Sequence, residues 1–167
     1  MTNILMIIAP EKFKDEEYFV PKAVFDDNEF MVTTTSTKNT ARSVAQKEID
    51  VDITLEKAEL DYDAVVFIGG PGASVYFDDP TALDLAKQFH EAKRIVSAIC
   101  IAPSILANAG ILKGISATAF SSEQENLEAK GATFTGDPVT KSGHIITANG
   151  PDAAAEFANT IVQSLLQ

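Results

Sequence analysis

The chain has 167 residues, the length of one domain, and its hydrophobic fraction of 46% is ordinary for a globular core. Its formal net charge of −11 repels phosphate backbones, which argues against nucleic acid as a partner. A single cysteine cannot form an internal disulfide, and with only two histidines a structural zinc site is not expected. We therefore expect no metal or other cofactor.

The first predicted element is a buried strand at residues 3–9. Its apolar run is too short for a signal peptide and lacks a basic lead. No stretch approaches the ~18 apolar residues of a membrane helix, so we expect a cytoplasmic protein without membrane contact. A short turn comes next, and a helix is predicted to begin near Pro21, because proline suits the first helical position.

The elements after residue 30 alternate largely between strand and helix. In chain order they are strands at residues 30–35, 51–55 and 64–68, a helix at 80–93, a strand at 94–99, a helix at 102–109, a strand at 114–120, a helix at 122–130, strands at 132–135, 139–141 and 144–148, and a helix at 151–166. Several strands are uniformly apolar, which predicts an α/β fold with a mostly parallel sheet and helices on both faces. We expect one domain over residues 1–167, with its site beyond the carboxyl ends of the strands.

A glycine-rich loop at residues 69–73 follows one of these strands. It has neither the spacing of a dinucleotide fingerprint nor the Lys-Ser/Thr pair of a phosphate loop. Glycine allows a close approach of the backbone. The loop is interpreted either as a plain tight turn or as the source of a backbone N–H donor for an oxyanion, from Gly70 or its neighbour.

A second loop at the same edge holds Cys100. The preceding strand ends at Ile99 and the next helix begins near Ala102. Small residues, Ala98 and Ala102, stand two positions before and after the cysteine, which is the pattern of a nucleophile elbow. A helix N-terminus aimed at the sulfur would favour the thiolate. The alternative is a buried, inert cysteine, which is the commonest fate of a single cysteine.

Several segments together resemble the DJ-1/ThiJ/PfpI superfamily, which has a class I glutamine amidotransferase-like fold. The segments that carry the resemblance are residues 67–73 (FIGGPGA), 98–100 (AIC), Pro103, 106–107 (LA), 110–112 (GIL) and 145–151 (IITANGP). The resemblance runs from the first strand to the last helix. It implies a flavodoxin-like three-layer sandwich that assembles as a homodimer.

The family also places a glutamate shortly after the first strand, four residues before a proline. Glu17 and Pro21 meet that description, whereas Asp15 and Glu16 are interpreted as part of a solvated acidic turn. The resemblance implies that the Glu17 carboxyl, with a pKa raised by burial and like charge, donates a hydrogen bond to the sulfur of Cys100.

The sequence departs from the family where a histidine is expected. Protease-like members carry histidine directly after the cysteine, where this chain has Ile101. DJ-1-like members have one on a later strand, and the matching stretch, residues 130–134, has none. His90 and His144 are expected far from Cys100, His90 at the opposite end of the sheet, so a PfpI-like peptidase with a Cys-His-Asp triad is not supported.

The resemblance leaves two classes of function open. The first is an enzyme on small α-oxoaldehydes, a glyoxalase III or deglycase (hydro-lyase or hydrolase), with a small carbonyl substrate. There Cys100 would form a hemithioacetal and Glu17 would move the proton. The backbone N–H groups of Gly70 and Ile101 would hold the oxyanion. The second is a non-enzymatic sensor or chaperone of oxidative stress, in which Cys100 oxidises to a sulfinic acid held by Glu17. A third interpretation is a folded relative without activity.

Overall fold

Twelve strands and five helices make up the computed structural model, which describes all residues 1–167. The strands are β1 (Asn3–Ile7), β2 (Glu11–Phe13), β3 (Met31–Ser36), β4 (Thr40–Ser43), β5 (Glu48–Asp50), β6 (Ile53–Thr54), β7 (Ala64–Phe67), β8 (Ile95–Ile99), β9 (Ser116–Ala117), β10 (Thr133–Phe134), β11 (Val139–Ser142) and β12 (Ile145–Ala148). The helices are α1 (Asp15–Asp27), α2 (Pro80–Glu91), α3 (Pro103–Asn108), α4 (Gln124–Ala129) and α5 (Ala154–Leu166).

A seven-stranded sheet lies at the centre, in the order β11-β12-β8-β7-β1-β3-β6. Every neighbouring pair in it is parallel except the β11–β12 hairpin. Two small sheets lie outside it, β2-β4-β5 and β9-β10. The predicted α/β fold with a mostly parallel sheet is therefore confirmed. None of the helices has the length and apolar character needed to cross a bilayer.

Strand β1 explains why both faces of the sheet are covered. Ile4 and Met6 point to one face, into a core shared with α1 and α5, and both are fully buried. Leu5 and Ile7 point to the other face, into a core shared with α2, α3 and α4. Because side chains alternate along a strand, an unbroken apolar run requires a helical layer on each side.

Helix α1 corrects the prediction of a helix that begins near Pro21. The helix begins at Asp15, and Pro21 lies inside it. Proline has no N–H to donate to the carbonyl of Glu17, four residues earlier, and such a gap usually weakens a helix. Acidic residues fill the first turn and favour the helix N-terminus, and the Pro21 ring is buried. Glu17 therefore lies on the first turn of a helix, where its direction is fixed.

Two further segments differ from the sequence prediction. The polar region 39–63 contains β4 and β5 besides the predicted short strand, because Ala41 and Ser43 alternate with exposed neighbours and form a half-buried edge. The predicted strand 114–120 shortens to β9. Its ladder ends because the backbone N–H of Thr118 donates to the Thr147 hydroxyl at 2.9 Å instead of to a strand.

Candidate active site

Cys100 lies in the turn between β8 and α3. Its φ of 65° falls in the left-handed region, which residues other than glycine rarely adopt. Its backbone N–H donates to the Ala148 carbonyl at 2.9 Å, and its carbonyl accepts from the Phe120 N–H at 2.8 Å. These two hydrogen bonds tie the strained residue to β12 and to the segment after β9, and its side chain stays partly exposed.

The glycine loop after β7 presses against the junction of β2 and α1. A Cβ at Gly72 would lie 1.7 Å from the Glu11 carbonyl oxygen, and one at Gly70 would lie 2.5 Å from the Lys14 nitrogen. The Lys14 N–H in turn donates to the Gly69 carbonyl at 3.1 Å. Only glycine permits this approach, which joins the loop to the start of the helix that carries Glu17.

Glu17 and Cys100 border the same small space. A Cβ at Gly69 would lie 2.5 Å from Glu17 Oε1 and 2.6 Å from Cys100 Cβ. Glu17 is fully buried, and neither of its carboxyl oxygens makes a hydrogen bond of good geometry. Burying an ionised carboxylate without hydrogen bonds is unfavourable in free energy, so the carboxyl holds its proton more tightly than it does in water.

The pKa of Glu17 reflects this environment. Burial raises it from 4.5 to about 7, although the Cys100 thiol, the Lys14 ammonium and the Gly69 N–H each favour the ionised form. The hydrogen bond from the Glu17 carboxyl to the sulfur that the resemblance implied needs the protonated carboxyl, and it stays a prediction. A group with this pKa can accept and return a proton near neutral pH.

The pKa of the Cys100 thiol is also raised. Burial raises its pKa from 9.0 to about 12, and the negative charge of Glu17 is the second cause. The backbone N–H groups of Gly70 and Ile101 contact the sulfur and lower the pKa in part. Glu17 thus loses its proton at a lower pH than Cys100, and the sulfur keeps its proton near neutral pH.

The sequence predicted that the N-terminus of the following helix favours the thiolate, but few of its N–H groups are free to reach the sulfur. The first N–H groups of α3 are used inside the turn: Ala102 donates to the Ile99 carbonyl at 3.1 Å, and Ser104 donates to the Ile101 carbonyl at 3.1 Å. Pro103 has no N–H to offer. The Ile101 N–H alone remains for the sulfur from this segment, too little to offset the burial of the thiol.

A cavity of about 350 Å³ opens above the thiol. Its walls are Lys14, Glu17, Gly70, Pro71, Cys100, Ile101, Phe120, Ser122 and Pro151. All four predicted site residues line it. Four further lining residues were not predicted as site residues: Lys14, Phe120, Ser122 and Pro151. The position of Phe120 at the end of a predicted strand was a usable signal, because strand ends gather at one edge of such a sheet.

The two histidines lie away from this cavity. His90 Nδ1 and His144 Nε2 are 2.8 Å apart, and the His144 carbonyl accepts from the Val96 N–H at the start of β8. Cys100 follows the other end of that strand. No three side chains among His, Cys, Asp and Glu come together as metal ligands.

The chain is similar in sequence to a known protein family. The sequence profile of the DJ-1/PfpI family matches residues 2–164. The chain belongs to the DJ-1/PfpI family. An uncharacterised protein of Methanocaldococcus jannaschii is 38% identical over 98% of this chain and 82% of its own length.

Solved structures of DJ-1/PfpI proteins have the same fold. The ThiJ/PfpI domain protein of Brachyspira murdochii superposes with a TM-score of 0.95 at 34% identity, covering 98% of this chain and 95% of the other. DJ-1beta of Drosophila melanogaster superposes with a TM-score of 0.90 at 28% identity, covering 98% of this chain and 90% of the other.

One detail carried over from the DJ-1/PfpI family is wrong. The stretch 130–134 was expected near the cysteine, but its residues Thr133 and Phe134 form β10 beside β9, and Phe134 lines a neighbouring cavity of about 320 Å³. Phe120 lines both that neighbouring cavity and the Cys100 cavity. The conclusion that no histidine stands beside the thiol is unchanged, because none lines that cavity.

Proposed function

We propose that this protein is an enzyme acting on small α-oxoaldehydes, with Cys100 as nucleophile and Glu17 as proton carrier. The observation that carries the proposal is the buried carboxyl of Glu17, with a pKa raised to about 7, in the wall of the cavity that holds the Cys100 thiol. A carboxyl tuned to neutral pH next to a nucleophile is typical of general acid–base catalysis.

The first step forms a hemithioacetal. As the sulfur of Cys100 bonds to the aldehyde carbon, its proton passes to the Glu17 carboxylate and the carbonyl electron pair moves to oxygen. The N–H groups of Gly70 and Ile101 would stabilise that oxyanion, and Glu17 then returns the proton to it. No preformed thiolate is needed, which agrees with the raised pKa of the thiol.

The later steps turn methylglyoxal into a 2-hydroxy acid. A proton moves from the former aldehyde carbon to the neighbouring ketone carbon, with Glu17 as acceptor and donor, and the hydroxyl proton moves to the ketone oxygen. Together these transfers convert the hemithioacetal into a thioester. Water then cleaves the thioester, so that the sum is methylglyoxal plus water giving lactate. The sulfur regains its proton from the attacking water, and no redox partner is consumed.

The test is lactate formation from methylglyoxal by the purified protein. We expect turnover by the wild type. In Cys100→Ser we expect the turnover rate to fall by about 10²-fold or more, because a serine hydroxyl is a weaker nucleophile and no histidine beside it can activate it. Ser122→Ala is the control, because it changes the same cavity wall and keeps the thiol. Absence of turnover in the wild type, or full turnover in Cys100→Ser, would exclude the enzymatic proposal.

A second candidate function is a non-enzymatic sensor or chaperone of oxidative stress. The lack of a histidine in the Cys100 cavity favours it, since oxidation needs no histidine: the sulfur is partly exposed, the Glu17 carboxylate can accept the thiol proton, and the sulfinate oxygens need only hydrogen-bond partners. Gly70, Ile101 and Glu17 would supply those partners. Mild peroxide should then add two oxygens to Cys100, detected by mass spectrometry, in a protein that shows no methylglyoxal turnover.

Assembly as a homodimer remains a proposal supported by the family resemblance. Light scattering of the purified protein should give about twice the chain mass of 17.9 kDa. A mass equal to one chain would exclude it.

A further inference from the structure

Lys14 is the one basic residue that lines the Cys100 cavity. Its backbone is fixed next to the thiol, because its N–H donates to the Gly69 carbonyl at 3.1 Å and the residue directly precedes α1. Its charge favours the ionised form of the buried Glu17 carboxyl, in agreement with an ammonium near the reacting pair.

The Lys14 ammonium is available to a ligand. It donates no hydrogen bond to another protein group, and its nearest carboxylate is that of Glu16 at 3.7 Å, beyond hydrogen-bond distance. Both side chains of this ion pair are exposed to solvent, at 34% for Lys14 and 54% for Glu16. Such a pair is weak and exchanges readily with another anion.

The charges of the rest of the protein favour Lys14 as the place where an anionic ligand binds. The whole chain carries a net charge of −11, so an anionic small molecule is repelled from most of the surface. Inside the cavity the other titratable groups are Glu17, whose raised pKa leaves it less ionised at neutral pH than an ordinary carboxyl, and Cys100, which keeps its proton there. Asp152 lies past Pro151, in the neighbouring cavity.

We propose that Lys14 makes the cavity selective for α-oxoaldehydes that carry a carboxylate. The inference rests on the proposed function and names its substrate class. The substrate carboxylate binds the Lys14 ammonium while its aldehyde carbon meets the sulfur of Cys100. The chemistry is unchanged: an α-oxoaldehyde with a distal carboxylate, plus water, gives the corresponding 2-hydroxy diacid.

The first measurement compares 4,5-dioxopentanoate with its neutral methyl ester. We expect wild-type kcat/KM to favour the anion, and the preference to fall about tenfold in Lys14→Gln with most of the change in KM. Lys14→Arg should restore much of it. Lys57→Gln is the matched control, because Lys57 is exposed on a distant 3₁₀ turn and its loss changes the net charge equally.

The second measurement does not depend on turnover. Iodoacetate and iodoacetamide alkylate the same sulfur with loss of iodide, so the ratio of their rates cancels any change in thiol pKa and leaves the effect of the reagent's charge. We expect the iodoacetate-to-iodoacetamide ratio at Cys100 to fall about threefold to tenfold in Lys14→Gln and to stay unchanged in Lys57→Gln.

Together, the two measurements distinguish failure of the enzymatic proposal from failure of the role of Lys14. A ratio that responds to Lys14→Gln in a protein without turnover supports the anion site and overturns the enzymatic proposal. A ratio that is the same in wild type and Lys14→Gln, whether or not methylglyoxal is turned over, overturns the role of Lys14.

Discussion

Burial governs the chemistry of the individual residues in this site. Glu17 is fully buried, and its pKa rises to about 7, while that of the Cys100 thiol rises to about 12. The sequence identified both residues, Cys100 from its neighbours and Glu17 from the family resemblance. The protonation states could not be predicted from the sequence, because they depend on how many backbone N–H groups reach the sulfur. Most N–H groups of the turn before α3 donate to carbonyls within the turn itself.

Replacing the buried carboxyl tests its protonation through stability. The folded pKa of Glu17 lies above its ordinary value of 4.5, so the folded state loses stability as the pH rises from 4.5 through about 7. Glu17→Gln removes this loss. We expect its stability relative to wild type to improve by about 2–3 kcal/mol between pH ~5 and pH ~8, measured by urea unfolding. The exposed Glu16→Gln is the control. A relative stability that does not change with pH would show that Glu17 titrates normally.

A methyl group at Gly69 should separate the reacting pair. Its Cβ would lie 2.5 Å from Glu17 Oε1 and 2.6 Å from both Cys100 Cβ and the Ile99 carbonyl oxygen, and the last of these belongs to a central strand that cannot move aside. We expect Gly69→Ala to lose about 2–4 kcal/mol of unfolding free energy. In Gly150→Ala the nearest atom is 3.9 Å away, on Phe120. Equal stability of the two variants would contradict the described packing.

The elements with strong periodicity could be predicted from the sequence, and the others could not. The strand ending at Phe67 is an unbroken apolar run and the one ending at Ile99 is interrupted only by Ser97, and the structure has both within a residue or two of the prediction. The start of helix α1 was misplaced because Pro21 is a local signal, whereas the burial of its ring is a tertiary effect. The small sheet β2-β4-β5 gave no clear pattern, since its strands have three or four residues and alternate weakly.

Two elements are joined by a histidine pair whose strength depends on pH. His90, at the end of α2, and His144, in the β11–β12 turn, form one N–N hydrogen bond. Burial, His90 and Lys93 lower the pKa of His144 below its ordinary value of 6.5. The unfolded chain therefore takes up this proton first, and the folded state loses stability as the pH falls below about 6.5.

A substitution at His144 should remove that sensitivity. We expect His144→Gln to be closer to wild type in unfolding free energy at pH ~5.5 than at pH ~7.5. The comparison of variant with wild type at each pH cancels the opposite contribution of Glu17. A difference between variant and wild type that is the same at both pH values would show that the pair does not titrate with folding.

At the scale of the whole molecule, the parallel sheet decides which residues can meet. It gathers the loops after β7 and β8 at one edge, beside the first turn of α1, and leaves the histidine pair at the other end of β8. The sequence could therefore assign Gly70, Cys100 and Ile101 to one edge from strand order. Lys14 and Ser122 could not be assigned, because they come from segments whose path over that edge is set by packing.

The most direct test of the central claim, that Glu17 and Cys100 share a proton, is the apparent pKa of the Cys100 thiol in wild type and Glu17→Gln. It is obtained from the pH dependence of the alkylation rate with iodoacetamide. The negative charge of Glu17 raises the thiol pKa, so the account predicts a lower apparent pKa in Glu17→Gln together with a loss of methylglyoxal turnover. An apparent pKa that is unchanged or higher in Glu17→Gln would contradict it.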